Sequence, residues 1–262
     1  VTAAAVDPSL VDAAVDLARE AGDLTLRWFR SVELAVDTKA DGTPVTEADR
    51  AAERLVRERL AAQFPDDAVL GEEEGDQPGT SGRYWIVDPI DGTKSFTHGV
   101  PLYCTLLGVA DEHGPAVGVI HLPALGETVW AGRGRGCFLN GRPTRVGDHA
   151  TVRGAYVMSS GVDGWPGDTL AALVAAGAVV RTWGDGYGYA LVATGRVEAM
   201  IDPVVAPWDL APMPVILAEA GGTFTDLGGE ARIDGGSGVA SNGRLHEELL
   251  GLLARPRNLR GT

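Results

Sequence analysis

The sequence predicts an α+β fold, and three observations carry that prediction. A long amphipathic helical pattern opens the chain, a run of short β-leaning segments without helices between them fills residues 103–139, and from Val152 onward helical and strand patterns alternate. With 262 residues the chain forms either one large domain or two intimate subdomains, and both can bury a full core without disulfides.

Asp7 followed by Pro8 reads as an N-cap and a first helical residue. Leu10, Ala14, Leu17, Ala21, Leu24 and Trp28 then recur every three or four positions, so a helix with one apolar face is predicted over residues 8–30. The alternation at 32–36 predicts a strand, and Lys39-Ala40-Asp41-Gly42-Thr43-Pro44 a loop. A second helix begins around Thr46 and stops near Phe64, before Pro65, with Thr46 and Asp49 spaced as a capping box. Between residues 103 and 139, four strands (103–110, 116–121, 127–131 and 137–139) are separated by turn signals, which predicts an antiparallel meander. The Gly132-Arg133-Gly134-Arg135-Gly136 cluster belongs to that meander rather than to a nucleotide loop, because no helical pattern follows and Asn140-Gly141 marks another hairpin. Strands at 155–159, 178–182 and 197–201, helices at 168–176 and 189–194, one helix over 207–220 and a last one over 246–253 complete the chain, ending in a basic tail from Arg255 that is expected to fray. The change of rhythm places a subdomain boundary near residues 148–153, dividing 1–150 from 151–262 within one compact unit.

The chemistry concentrates in Tyr84 to Phe96. An apolar run, Tyr84-Trp85-Ile86-Val87, ends in Asp88, and Asp91-Gly92-Thr93 follows three residues later. Two carboxylates and a hydroxyl at the end of a buried strand suit a hard cation such as Mg²⁺, and a helix opening at Thr93 would turn its N–H groups toward a phosphate. The same residues also read as an ordinary capped turn. Three further acidic positions carry comparable double readings. Asp49 serves equally as a capping-box carboxylate, Glu72-Glu73-Glu74 as a solvated loop, and Asp209 as a complement to a helix dipole.

Composition excludes several classes. A formal charge of -14 argues against nucleic acid as a main partner, although bound cations can reverse the sign of an acidic pocket. No apolar run approaches the ~20 residues of a membrane span. The first residues carry Asp7 and Asp12 and lack a basic segment before an apolar one, so no secretory signal is expected. Two cysteines, Cys104 and Cys137, are too few for a disulfide framework and point to a reducing cytoplasm. The five histidines lack zinc-ligand spacing.

Taken together, the order and spacing of these elements are specific. Lys39, Thr43-Pro44-Val45-Thr46 with Asp49, Gly71-Glu72-Glu73, Trp85-Ile86-Val87-Asp88-Pro89-Ile90-Asp91-Gly92-Thr93, and Trp208-Asp209 with Glu219-Ala220-Gly221-Gly222 resemble the inositol monophosphatase family over nearly the whole chain. The resemblance implies a layered α-β-α-β-α sandwich of the inositol monophosphatase and fructose-1,6-bisphosphatase type. It also implies a Mg²⁺-dependent phosphomonoesterase, with two or three ions per site, that works as a cytoplasmic homodimer on small phosphate monoesters. Carried over by position, Glu72, Asp88 and the Ile90 carbonyl would hold one ion and Asp88, Asp91 and Asp209 a second, while a third would lean on Glu72. Asp49 and Thr93 would orient and deprotonate the attacking water, and the Gly92 and Thr93 amides would bind phosphate.

Substrate choice must lie outside the metal ligands. Gly184-Asp185 with Tyr189 is similar to the histidinol-phosphate phosphatase branch, in which a carboxylate would suit a cationic alcohol; Asp185 also reads as a cap of the helix that follows. Asp202, seven residues before Asp209, matches a position that contacts the leaving alcohol, as Asp91 and Asp209 would from the metal side. Histidinol phosphate is therefore the expected substrate, placing the chain in histidine biosynthesis. Inositol-1-phosphate and a sugar or aminonucleoside phosphate are the alternatives, and a catalytically silent binding protein is disfavoured by the intact acidic set.

Overall fold

The computed structural model describes residues 3–32, 34–39 and 42–254, and it is a five-layer α-β-α-β-α sandwich. The expectations for Glu33, Ala40, Asp41 and the tail from Arg255 lie outside the described residues. In the first layer α1 (Pro8–Thr25) and α2 (Glu47–Gln63) lie side by side. Their apolar faces, including Leu10, Ala14, Leu17, Val56 and Leu60, pack on Trp85, Val87, Leu107, Val109 and Val117 of a large sheet.

That sheet contains eight strands in the order β10-β9-β8-β7-β6-β5-β3-β4. They are β3 (Ala68–Gly71), β4 (Gly75–Gln77), β5 (Tyr84–Asp91), β6 (Cys104–Asp111), β7 (Gly114–Leu122), β8 (Glu127–Gly132), β9 (Gly136–Leu139) and β10 (Arg142–Thr144). Strands β6 to β9 form the predicted antiparallel meander, which β5 and β10 extend on either side, whereas β3 runs parallel to β5. The glycine cluster at 132–136 is the β8–β9 turn, and its Gly134 and Gly136 amides donate to the Glu219 carboxylate at 2.6 Å each.

Helices α5 (Asp185–Ala193) and α7 (Met213–Glu219) form the middle layer. Tyr189, Leu191, Met213 and Ile216 fill the core between the large sheet and a second, five-stranded sheet. The latter has the order β12-β11-β13-β15-β14, formed by β11 (Tyr156–Met158), β12 (Val179–Arg181), β13 (Ala199–Asp202), β14 (Thr223–Thr225) and β15 (Gly238–Ser241). Helices α4 (Thr169–Ala176) and α8 (His246–Leu253) cover its far side through Leu173, Leu245, Leu249 and Leu252.

Several predicted elements differ from the structure. Helix α1 stops at Thr25, where the hydroxyl donates to the Gly22 carbonyl at 2.6 Å and meets the Tyr103 hydroxyl at 3.1 Å. Trp28 and Phe29 then pack with Phe96 and Tyr103 instead of extending the helix stripe, and Arg30 has a φ of 62°. The strand expected at 32–36 lies further along: β1 (Val36–Thr38) pairs with β2 (Pro44–Thr46), the Lys39 N–H donating to the Thr43 carbonyl at 2.8 Å, and Val32 is fully exposed. An alternating pattern cannot fix register where neither face covers a core. Finally, the helix expected over 207–220 is two, α6 (Pro207–Leu210) and α7, with the break at Ala211-Pro212. Two prolines near one helix start remove donors and disfavour helical geometry in the residue before each.

That break seats in a dent of the large sheet. Gly108 and Gly118 face each other across β6 and β7, and a Cβ at either would lie 2.7 Å from Ala211 or 2.4 Å from the Pro212 carbonyl oxygen. The pair lets the backbone carrying Asp209 approach the sheet closely. A methyl group there must push α6–α7 outward, at roughly 1–3 kcal/mol for an overpacked core. Gly118→Ala is therefore expected to lower the urea midpoint correspondingly, and an unchanged midpoint would show that the dent is not needed.

Candidate active site

Strand alternation sends residues i and i+3 to opposite faces, so Asp88 and Asp91 could not cooperate in a regular strand. The register of β5 against β6 shifts between Asp88 and Asp91, a bulge that also accommodates Pro89. Asp88, Asp91 and Asp209 thereby converge, each offering a carboxylate oxygen within 4.8 Å of the others'. Asp209 stands in the first turn of α6, where its Oδ2 accepts the Ala206 N–H at 2.9 Å. Asp88 Oδ1 accepts the Ile90 N–H at 3.0 Å, and the Ile90 carbonyl accepts the Thr93 hydroxyl at 3.1 Å. Gly92, with φ of 79°, is the N-cap of α3 (Thr93–Thr97), so its amide and that of Thr93 begin that helix at the cleft.

Glu72 follows β3, its N–H donating to the Val87 carbonyl at 3.2 Å. Lys39 Nζ donates to Glu72 Oε1 and Glu73 Oε1, both at 2.7 Å. Although burial opposes its charge, these bonds hold the Lys39 ammonium well above its ordinary pKa. Glu73 is pushed up to about 7 by burial, against the pull of Lys39.

The capping box read from Thr46 and Asp49 is present, with Asp49 Oδ2 accepting the Thr46 N–H at 2.8 Å and the Thr46 hydroxyl at 2.6 Å. Among the described residues Asp49 Oδ1 is the one buried side-chain polar atom without a hydrogen-bond partner. Burial raises Asp49 to about 6, its bonds to Thr46 lower it, and the charge of Glu72 raises it further.

A cleft of about 580 Å³ is lined on one side by Glu72, Asp88, Ile90, Asp91, Gly92, Thr93 and Asp209, whereas Asp49 is fully buried and does not line it. Its far wall carries Ser160, Gly161, Asp163, Gly164, Thr182, Asp185 and Val204. Asp185 has a φ of 54° and lies close over Gly92. It does not cap α5, which starts earlier than predicted and has Gly184 as N-cap without a side-chain bond. The capping bond comes from Asp91 instead, whose Oδ2 accepts the Gly186 N–H and, at 3.3 Å, the Cys104 thiol. Asp202 is not brought to the cleft wall: it is buried behind it, accepting the Ser160 N–H at 3.1 Å and the Tyr189 hydroxyl at 3.0 Å.

Burial raises Asp88 and Asp91 well above the carboxylate range. The charges of Glu72, Asp91 and Asp209 add to the rise at Asp88, and those of Asp185 and Asp209 at Asp91. Burial raises Asp209 to about 7. Hard, anionic oxygens crowded in this way fit divalent cations, which would relieve both the desolvation and the mutual repulsion.

Glu53 was not singled out from the sequence, yet it is fully buried. Its carboxylate accepts the Glu73 and Glu74 N–H groups at 2.8 and 3.0 Å, fixing the loop that carries Glu72, while Arg57 one turn on balances its charge. The available signal was the spacing of four from Asp49 to Glu53 and again to Arg57, which puts all three on one helix face. Ser160 gives no signal of its own, since its role depends on β11 and α5 coming together.

A layered sandwich with an acidic cluster at the end of a bulged central strand defines a phosphoric monoester hydrolase of metal-dependent type. The chain belongs to the inositol monophosphatase family, whose sequence model matches residues 7–257. It is 45% identical over 235 residues to a histidinol-phosphatase from Chlorobaculum parvum, covering 87% of this chain and 90% of that protein. It is also 45% identical over 246 residues to a histidinol-phosphatase from Mycobacterium tuberculosis, covering 90% and 95%. Among solved structures it resembles an IMPase from Thermotoga maritima, with a TM-score of 0.87 and 32% identity over 94% of this chain and 96% of the other.

Cations bound to this cluster would compete with protons. Burial raises Asp88, Asp91 and Asp209, the last to about 7, so the folded protein holds protons on carboxyls that the unfolded chain releases near the ordinary value of about 4. Cation binding must displace those protons, so affinity rises with pH across that window. The stabilisation by Mg²⁺ over chelator, followed as the increase in melting temperature, is therefore expected to grow from pH 4 to about 7 and then level off; a hundredfold excess over Kd corresponds to about 2.7 kcal/mol of stabilisation. A Mg²⁺ shift independent of pH in that range would show that these carboxyls do not bind the ion.

Proposed function

We propose that the chain hydrolyses histidinol phosphate to histidinol and phosphate in histidine biosynthesis, using two or three Mg²⁺ ions, as a homodimer in the cytoplasm. One observation carries the substrate: Asp185, a carboxylate outside the converged acidic group, lies over Gly92 at the floor of the cleft. A phosphate ester bound with its phosphate at Gly92 and Thr93 presents its alcohol to Asp185, a carboxylate that suits an ammonium or imidazolium better than a neutral polyol. The two histidinol-phosphatases at 45% identity support the same reading. The family resemblance supports the dimer, and two buried free cysteines suit a reducing compartment.

Glu72, Asp88, Asp91, Asp209 and the Ile90 carbonyl would hold the cations, which, when bound, neutralise phosphate oxygens and acidify a water. Asp49 offers its unpartnered Oδ1 as the acceptor of the water's proton, with its other oxygen locked by Thr46 so that the carboxylate cannot turn away. Thr93, anchored on Ile90, orients the same water from the start of α3. Asp202 acts on the alcohol side through Ser160, whose backbone it accepts and whose hydroxyl accepts the Asp185 N–H at 2.8 Å.

The test is phosphate release from histidinol phosphate, inositol-1-phosphate, fructose-1,6-bisphosphate and nucleoside 5′-monophosphates with Mg²⁺. Histidinol phosphate is expected to have the highest kcat/KM, and Asp185→Ala to lower it by about ten- to hundredfold, as for a lost hydrogen bond to a charged group. Asp49→Asn is expected to lower kcat by about 10²–10⁴. A flat panel, or a preference that Asp185→Ala leaves intact, would refute the substrate while keeping the phosphatase.

A further inference from the structure

The far wall of the cleft contains a second carboxylate that the catalytic cluster does not use. Asp163 lines the same cleft as Asp185, is exposed, and stands apart from the converged group of Asp88, Asp91 and Asp209. Its loop, which follows β11, is fixed rather than loose. The Gly161 carbonyl accepts both the Ser159 hydroxyl at 2.9 Å and the Trp165 indole N–H at 3.1 Å. Ser160 ties the loop to Asp202 and to the Asp185 backbone, and Gly164 packs closely on Val204 of the same wall. The turn that presents Asp163 and the residue that presents Asp185 are thus held in one hydrogen-bonded unit.

Charge gives this arrangement a direction. Cations bound to the converged carboxylates neutralise the phosphate side, and the only basic residue lining the cleft among the described residues, Lys94, lies on the α3 side beside Thr93. The wall facing the alcohol carries two negative side chains; burial raises the Asp185 carboxyl, while Ser160 and, across the cleft, Lys94 lower it. We propose that Asp163 is a specificity residue that, together with Asp185, seats the cationic groups of the alcohol part of the substrate. The inference rests on the reading of the cleft as the site of a cationic phosphate ester. It adds that two carboxylates divide the recognition, so that esters with two cationic centres are favoured over those with one.

The experiment compares kcat/KM for histidinol phosphate against inositol-1-phosphate, and for phosphoethanolamine against ethyl phosphate, in wild type, Asp163→Asn and Asp163→Lys. Because Asp163 is solvent-exposed, its contribution is modest: the histidinol-phosphate to inositol-phosphate ratio is expected to fall about fivefold in Asp163→Asn, mainly through KM. In Asp163→Lys the ratio falls further, and hydrolysis of fructose-1,6-bisphosphate gains relative to both. The one-cation pair, phosphoethanolamine against ethyl phosphate, shifts less. A wild-type preference for the cationic esters that both variants leave intact overturns the role of Asp163 alone. A wild type with no such preference overturns the underlying reading of the cleft.

Discussion

Mutual repulsion among carboxylates is the constraint that the rest of this molecule is built to withstand. Two like charges about 4 Å apart cost about 4 kcal/mol at an effective dielectric of 20, and here Asp88, Asp91 and Asp209 offer oxygens within 4.8 Å of one another with Glu72 nearby. Each acid is held by a donor fixed independently of the others. Asp88 takes the Ile90 N–H, Asp209 the Ala206 N–H, Asp91 the first turn of α5, Asp49 its own N-cap, and Glu72 the ammonium of Lys39. Charge-assisted bonds of this kind are about twice as strong as neutral ones and leave oxygens free to face the cleft. The cluster is therefore positioned by local backbone geometry.

The double readings that the acids carry in sequence are compatible with one another. Capping does not exclude a second role, because a carboxylate that caps with one oxygen presents the other in a fixed direction. Asp49 shows this at its clearest: Oδ2 closes the capping box and Oδ1 is buried with no partner. Beneath it, Glu53 and Arg57 continue the same face of α2, and Glu53 holds the backbone of the 72–74 loop. One helix thus sets the height of two acidic positions, and the long amphipathic pattern that fixes α2 on the sheet also fixes the chemistry.

The parts of the fold that could be read in the sequence are those in which local chemistry and tertiary packing agree. The meander at 103–139, the capping box at Thr46 and the hairpin at Asn140-Gly141 are determined by neighbours in the chain, and they stand close to where they are expected. What could not be read depends on partners distant in sequence. The end of α1 at Thr25 is set by Tyr103, the break at Ala211-Pro212 is seated by Gly108 and Gly118, and the burial of Asp202 is set by Ser160 and Tyr189. The acids were visible as acids, but the bulge that turns Asp88 and Asp91 to one side is a property of pairing with β6 and leaves no mark beyond Pro89.

Asp91 joins the two halves of the reaction. It belongs to the converged group on β5, and the same carboxylate caps α5, the helix that begins with Asp185. Helix α5 in turn bonds through Tyr189 to Asp202 on the smaller sheet, so the acidic cluster on the large sheet and the far wall of the cleft on the small one are linked through one side chain. On the proposed reading of the cleft, the hydrogen bond from α5 to Asp91 would set the distance between the reacting phosphorus and the group that recognises the alcohol. An enzyme that discriminates by the charge of the leaving alcohol needs that distance fixed, because electrostatic recognition at a misplaced alcohol would stabilise binding without favouring attack at phosphorus.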